Sequence, residues 1–195
     1  MARRSPSVDF AALLPAGLVF ALLPVPSGAA TLHDLPLGAE RAEVLRTVEE
    51  AGWRHSRFDR RGLLVEGDLV PELFLRQSAL LELDAENRLS RIDVALWPPE
   101  GSDGSDVLRS YEDLVRALSR RLGPATWEEA SGTAPSRELL VALRDGRVVR
   151  CLQWDGPPSV RAGIPLRTDG RVVLQILVTD EPLDRGRRLW GRDDF

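Results

Sequence analysis

The sequence contains few of the residues that most metal and redox sites need. Its 195 residues include one cysteine and two histidines, and because there is no lysine, all 26 basic residues are arginine. A single cysteine cannot form an internal disulfide, and Cys151 lies in an apolar run typical of a buried strand, where a thiol is inert. A metal site needs three or four clustered ligands, whereas His33, His55 and Cys151 are scattered. We therefore predict no disulfide and no metal site.

Common catalytic and cofactor-binding motifs are missing as well. The sequence has no nucleophile elbow, no Ser-x-x-Lys motif, no phosphate-binding loop and no dinucleotide fingerprint. Aspartate and glutamate are abundant, but each adjacent pair lies on a predicted helix face or turn, where solvation explains it. We predict no cofactor and no catalytic residue, and we expect a protein that is not an enzyme. A hydrolase that uses a pair of carboxylates stays open as an alternative.

The charge balance argues against a nucleic acid as the partner. The formal net charge is −4 at pH 7, whereas nucleic-acid-binding domains usually carry a basic excess. The use of arginine in place of lysine is explained by GC-rich codons.

Residues 1–30 have the three-part pattern of a secretory signal peptide. Arg3 and Arg4 form a positive start, the apolar run "FAALLPAGLVFALLPV" follows, and "SGAA" supplies small residues for cleavage after Ala30. The apolar run is shorter than the roughly 20 residues that span a bilayer, so we predict a cleaved signal rather than an anchor. No cysteine near the cleavage site could carry a lipid. We expect a periplasmic or extracellular protein with no membrane span after cleavage and no lipid anchor.

The remaining sequence predicts two helices, each followed by strands. Apolar residues at helical spacing predict one helix within 35–53 and a second over 106–123. Gly52 and Gly123 end these helices, and Trp53 is placed to fold back onto the first.

Period-two alternation predicts antiparallel hairpins in both halves. Asn87 lies in the turn of the first hairpin, and Asp145-Gly146 and Asp169-Gly170 form the turns of two later ones.

We therefore predict an α+β fold in which two helices pack on antiparallel sheet, built as a tandem α-β-β-β(-β) duplication. The basis is the order of the elements and not residue identity. Gly52-Trp53 after the first helix corresponds to Gly123 and Trp127 after the second. Strands also end in Trp97 and Trp154 in the two halves. A single α+β domain that happens to use two helices is the alternative. The predicted organisation is a signal peptide (1–30), a first repeat (31–97), a linker of loop composition (98–106), a second repeat (107–180) and a charged tail (181–195).

Tryptophan is the aromatic residue that stands out, with five copies against one tyrosine. Four of them lie at the ends of predicted elements: Trp53, Trp97, Trp127 and Trp154. Core capping is one interpretation. The other is an exposed contact surface, because tryptophan and arginine are enriched at binding hot spots. We take these four as candidate anchors of a binding surface on the open face of the sheet.

The stretch "LPLGAERAEVLRTVEEAGW" resembles the opening of bacterial envelope domains of the outer-membrane-assembly lipoprotein type (SmpA/OmlA). It is similar also to the β-lactamase inhibitory protein group, which doubles such a unit. The shared residues are Leu37-Gly38, Glu40, Val44-Leu45 and Gly52, and "RRLGPATW" resembles the same helix ending in the second half. Two features depart from the pattern: Ala39 replaces the usual capping hydroxyl, and the lipobox cysteine is missing. No contact residue is therefore transferred.

The resemblance implies an exported α+β protein that acts by binding another protein. We expect a non-catalytic protein-binding or inhibitor-like module of the bacterial envelope or exterior, with a protein as its partner. The carboxylate-based hydrolase and a structural envelope component remain as alternatives.

Overall fold

The computed structural model describes residues 35–56, 62–70, 73, 75–165 and 171–183. The predicted signal peptide, His33, the Asp169-Gly170 turn and the predicted tail from residue 184 onward lie outside the described residues.

Within this range the chain forms three helices and eight strands. The first half consists of α1 (Arg41–Glu50), β1 (Arg54–His55), β2 (Leu63–Glu66), β3 (Arg76–Leu83) and β4 (Leu89–Trp97). The second half consists of α2 (Gly104–Leu122), β5 (Trp127–Ser131), α3 (Ser136–Arg144), β6 (Val149–Trp154), β7 (Ser159–Gly163) and β8 (Leu174–Thr179). The fold is α+β, as predicted.

All eight strands belong to one antiparallel sheet, in the order β1-β2-β3-β4-β8-β7-β6-β5. The last strand of each half lies at the centre, where Val94 of β4 pairs with Ile176 of β8. The two predicted repeats therefore share a single sheet.

The strand pairings of the first and third predicted hairpins are confirmed. β3 and β4 pair antiparallel, and Asn87 in their turn has a φ of 59°, the left-handed conformation that asparagine tolerates. β7 and β8 pair antiparallel as well.

Helix α1 ends as predicted. Gly52 has a φ of 68°, its N–H donates to the Glu49 carbonyl, and the N–H of Trp53 donates to the Val48 carbonyl. This is the Schellman arrangement, in which glycine supplies the left-handed residue and the last carbonyls of the helix gain donors.

The start of α1 is held by the neighbouring hairpin instead of a side-chain cap. Glu40 occupies the N-cap position and makes no capping bond. The N–H of Gly38 donates to the Leu89 carbonyl at 2.7 Å, and the N–H of Arg41 donates to the Asn87 carbonyl at 3.1 Å. Backbone pairing with the β3–β4 turn thus takes the place of the hydroxyl that Ala39 lacks.

Helix α2 begins inside the segment predicted as a linker. Asp103 accepts hydrogen bonds from the N–H groups of Ser105 and Asp106, and the Asp106 carboxylate accepts one from the N–H of Asp103. This reciprocal capping box satisfies the first donors of the helix.

Residues 136–144 form helix α3, so the hairpin predicted there is wrong. The segment "SRELLVALR" contains strong helix formers and only one β-branched residue. The Asp145-Gly146 pair does not form a hairpin turn. Gly146 has a φ of 69°, its N–H donates to the Leu143 carbonyl, and the N–H of Arg147 donates to the Ala142 carbonyl. The same dipeptide that favours a hairpin turn therefore ends a helix here.

The buried apolar side chains form one cluster that includes all three helices. Its helical members are Val44 and Val48 of α1, Val107, Tyr111 and Leu114 of α2, and Ala142 and Leu143 of α3. From β4 the cluster takes alternate residues, namely Ile92, Val94 and Leu96. Because successive strand side chains point to opposite faces, the three helices cover the same face of the sheet.

Candidate binding groove

The four candidate tryptophans do not form one exposed surface. Trp53 is 6% exposed and Trp154 is 4% exposed, and both belong to the core cluster. A Cβ on Gly67 would lie 2.7 Å from Cδ1 of Trp53, and Trp154 donates its Nε1–H to the Gly123 carbonyl at 3.0 Å. The prediction that these two are contact anchors is therefore wrong, because they are structural.

Trp97 and Trp127 are half-buried, but they lie far apart. Trp97 ends β4 and Trp127 begins β5, and these strands are separated by β8, β7 and β6 in the sheet. Four inter-strand spacings correspond to about 19 Å. The two side chains are therefore too far apart to be neighbours in one surface patch.

Trp97 lies in a groove where the end of β4 meets the two helices of the second half. The groove has a volume of about 930 Å³, and its apolar lining includes Leu75, Trp97, Pro98, Leu140, Val141 and Val172. Trp97 donates its Nε1–H to the hydroxyl of Ser78 at 3.3 Å, which fixes the ring at the sheet end. The guanidinium carbon of Arg171 lies 5.8 Å from the centre of the ring, within cation–π range.

Helix α3 contributes Leu140, Val141 and Arg144 to the lining of this groove. Leu140 is 37% exposed and Val141 is 40% exposed, and they are the two large hydrophobic residues that stand exposed in the described part of the chain. Their neighbours Ala142 and Leu143 are buried, so α3 is anchored on one side and presents apolar surface on the other.

Gly104 allows α3 to approach the start of α2. A Cβ at this position would lie 2.5 Å from the backbone nitrogen of Leu140 and 2.7 Å from Cβ of Leu139. Only a residue without a side chain fits this contact, so the groove depends on a glycine in the first turn of α2.

The rim of the groove carries three arginines and one acidic residue among the described residues: Arg76, Arg144, Arg171 and Glu100. Arg76 lies 3.8 Å from the Glu66 carboxylate, and Arg144 lies 3.2 Å from that of Asp145. These are solvent-exposed pairs, which contribute little free energy and exchange partners readily. Three of the four charged residues of this lining are arginines, and Glu66 and Asp145 offset part of the charge of Arg76 and Arg144.

The opposite face of the sheet is not open at its centre, contrary to the prediction. Leu80, Asp93, Leu177, Arg161 and Gln153 lie side by side across five strands, and all five are buried. A partner could not reach these side chains, so the tryptophan-and-arginine surface expected on this face does not exist there.

Hydrogen bonds join the polar members of this row. Arg161 donates from Nε and Nη2 to Oε1 of Gln153 at 3.1 and 2.6 Å. Gln153 in turn donates to the Asp155 carboxylate at 2.5 Å and to the Leu183 carbonyl at 3.2 Å. Such a paired network offsets the cost of burying polar groups.

Asp93 is the buried carboxyl of this row. Burial raises the pKa of Asp93, and hydrogen bonds from Gln175 and Arg91 counter that rise only in part. Its carboxyl is 1% exposed and does not line the groove. The hydrolase alternative requires two carboxylates facing a shared cleft, and Asp93 does not supply one.

Cys151 is buried in β6 and lies on the same face as Asp93. Burial raises the pKa of its thiol to about 12. The thiolate is therefore scarce at neutral pH, in agreement with the expected inert thiol.

His55 ends β1 with its ring exposed, and its Nδ1 lies 3.0 Å from the Ser56 carbonyl. No group of three or more histidine, cysteine or acidic residues able to hold a metal is found among the described residues. The described residues likewise include no helix that is both long and apolar enough to cross a membrane.

The fold and the groove define an α+β protein built on one antiparallel sheet, with an amphipathic groove between the end of the sheet and its helices. In comparisons with known proteins, no protein-family model, no curated protein and no solved structure matches the chain.

Sequence reasoning identified Trp97 but missed the α3 and arginine residues around it. The signal for α3 was the run of strong helix formers, leucine, alanine and arginine, in "SRELLVALR". The predicted β3–β4 hairpin places Arg76 opposite Trp97. No periodicity could have placed Arg171 there, because the segment before β8 meets β4 only in the sheet.

Proposed function

We propose that the chain is an exported, non-catalytic protein-binding module, inhibitor-like in its action, of the bacterial envelope or exterior. The observation that carries the proposal is the groove that combines half-buried Trp97, exposed Leu140 and Val141, and three arginines at its rim. Tryptophan and arginine are the residues most enriched at interface hot spots. Adjacent exposed apolar side chains rimmed by charge mark an interaction site on a soluble protein.

Export is proposed from the signal-peptide pattern of residues 1–30. A protein acting outside the cytoplasm without a disulfide must be stabilised by its core alone. The single cluster beneath the eight-stranded sheet provides that core.

The proposed architecture is a tandem duplication. Its support is the order of elements, because each half is a helix followed by four antiparallel strands and the two last strands, β4 and β8, pair at the centre. The tryptophans at strand ends support the duplication less well, because Trp97 ends the fourth strand of its half, whereas Trp154 ends the second. An experimental structure in which α1–β4 does not superpose on α2 and β5–β8 would contradict the duplication.

The binding function is tested by capture with a matched surface control. Tagged chain lacking residues 1–30 is exposed to envelope extract and culture medium of the source bacterium. It is compared with the double variant Leu140→Asp/Val141→Asp and with Ala130→Asp/Thr133→Asp, which adds the same charge at exposed positions away from the groove.

We expect a partner that the unmodified chain and the control retain and that the groove variant loses at least about tenfold, as for a central hot spot. Equal recovery by both variants would exclude the groove as the contact surface. Hydrolytic activity of the purified chain with no recovered partner would favour the enzyme alternative.

A further inference from the structure

We propose that the groove binds an acidic peptide segment of its partner, one that carries apolar side chains among its aspartates and glutamates. This inference rests on the proposed binding function and specifies the chemistry of what the groove recognises. It follows from how charge and apolar surface are distributed around Trp97.

The charge of the rim selects an acidic ligand. Arg76, Arg144 and Arg171 line the groove, against the single acidic residue Glu100 among the described residues. The chain as a whole carries −4. On a chain with a net negative charge, this group of arginines is a place where an acidic segment is attracted and oriented.

The contacts of Arg76 and Arg144 leave their guanidinium groups able to donate hydrogen bonds to the carboxylate of a ligand. The side chain of Arg76 is 76% exposed and its nearest carboxylate oxygen, on Glu66, lies at 3.8 Å. Arg144 is 45% exposed and is bonded to its own sequence neighbour Asp145. Guanidinium groups bind carboxylates through two parallel hydrogen bonds, a geometry that neither of these contacts shows.

The floor of the groove selects apolar side chains. Leu140 and Val141 stand exposed on α3, and they line the groove together with Trp97 at the end of β4. Burial of an apolar side chain against such a surface removes it from water and stabilises the complex. A purely acidic segment would leave this surface in water, so the segment has to carry apolar residues that reach it.

The test is a selection from random peptides displayed on phage, with the chain lacking residues 1–30 as bait. Three baits are compared: the unmodified chain, the groove variant Arg76→Glu/Arg144→Glu/Arg171→Glu, and a control variant Arg46→Glu/Arg116→Glu/Arg120→Glu. The control changes the net charge equally at exposed positions of α1 and α2 that do not line the groove.

We expect the unmodified chain and the control to enrich peptides that combine Asp or Glu with Leu, Phe or Trp, and the groove variant to lose them. An enriched peptide, made synthetically, should bind about tenfold more weakly to Arg171→Gln and about tenfold more weakly when NaCl is raised tenfold. Its twin with Lys in place of each acidic residue should not bind.

Two results would overturn this inference while leaving the proposed function standing. One is the enrichment of neutral or basic apolar peptides that Leu140→Asp/Val141→Asp abolishes, which would show a groove that binds without charge selection. The other is flotation of the chain with phosphatidylglycerol vesicles that the groove variant loses, which would assign the arginines to a lipid surface. If no peptide is enriched and no vesicle is bound, the acidic-peptide inference fails, and capture of a partner that depends on Leu140 and Val141 decides separately whether the binding function survives.

Discussion

The two halves of the molecule share a plan and differ in one inserted helix. Each is a helix followed by four antiparallel strands. In the first half β1 ends at His55 and β2 begins at Leu63, whereas in the second half β5 ends at Ser131, β6 begins at Val149, and α3 lies between them. This helix supplies Leu140, Val141 and Arg144 to the groove. The long connection between β5 and β6 thus supplies part of the candidate site, as is common for functional loops.

The halves also differ in how their helices end. Gly52 ends α1 and Gly146 ends α3 in the same Schellman arrangement, with φ of 68° and 69°. Gly123 ends α2 with a φ of 80° and a ψ of −163°, a different conformation. The sequence suggested that Gly52 and Gly123 are equivalent positions. In the structure, the backbone conformation of Gly52 matches that of Gly146, which ends α3.

The largest expected effect comes from breaking the seam between the halves. Leu174 of β8 pairs with Leu96 of β4, and both are fully buried. Leu174→Ala should lower the free energy of unfolding by about 3 kcal/mol, because it leaves a cavity at the centre of the shared sheet. Urea denaturation followed by tryptophan fluorescence measures it, with exposed Val141→Ala as the control.

A single shifted transition is expected for Leu174→Ala, since the two halves share one sheet. Two separate transitions, or a loss no larger than that of the control, would mean that the halves are stable independently of the seam.

The second prediction concerns the contact of α3 with α2. Gly104→Ala places a Cβ against the backbone of Leu140, and overpacking of this kind costs about 1–3 kcal/mol. Because α3 has to move, the variant should also lose binding at the groove. Gly156→Ala is the matched control, since the nearest atom to its Cβ would lie at 3.6 Å, an ordinary contact. Unchanged stability and unchanged peptide binding for Gly104→Ala would refute the tight contact.

The third prediction distinguishes the helix ends. Gly52→Ala and Gly146→Ala should each cost about 1 kcal/mol, the penalty of a left-handed residue with a Cβ. Gly123→Ala should cost more, about 1–3 kcal/mol, because its combination of φ and ψ is accessible almost only to glycine. Thermal unfolding of the three variants gives the order. Equal losses of stability for Gly52→Ala and Gly123→Ala, with no loss for Gly146→Ala, would instead support the equivalence of Gly52 and Gly123 that the sequence suggested.

The last prediction concerns pH and the hydrogen bond that Gln175 of the second half donates to Asp93 of the first. Burial raises the pKa of Asp93 above the ordinary 3.8, so the folded chain keeps a proton that the unfolded chain releases. The stability that this group contributes is therefore present at low pH and is lost as pH rises through the folded pKa.

Asp93→Asn removes this dependence. Between about pH 4 and pH 8 the unmodified chain should lose stability relative to Asp93→Asn as pH rises. Urea midpoints across this range measure it, with the exposed-turn variant Glu86→Gln as the control. A difference between Asp93→Asn and the unmodified chain that does not vary with pH would show that Asp93 is ionised throughout.

Local rules predicted the elements whose pattern had one physical interpretation. The C-terminal glycine of α1, the turn at Asn87 and the β3–β4 pairing follow from residue types with a single favourable conformation at their positions. The segment 136–144 is compatible with two structures, because Asp-Gly favours both a hairpin turn and the end of a helix. The packing of Leu139 and Leu140 against Gly104 and the burial of Ala142 and Leu143 favour the helix.

The candidate site was less predictable than the fold. A tryptophan at the end of an element can either cap the core or contact a partner. The burial of Trp53 and Trp154 shows that these two cap the core. Trp97, the last residue of β4, is only half-buried.

The sequence by itself determined the class of the protein: an α+β chain without disulfide-forming cysteines, with helices and hairpins set by short-range periodicity and turn chemistry. Only the tertiary structure decided which strands meet and which side chains share a surface. The pairing of β4 with β8 brings Trp97 within reach of Arg171, and Gly104 lets α3 complete the groove. Such contacts depend on close approach between segments far apart in the chain, and periodicity within a segment carries no information about them.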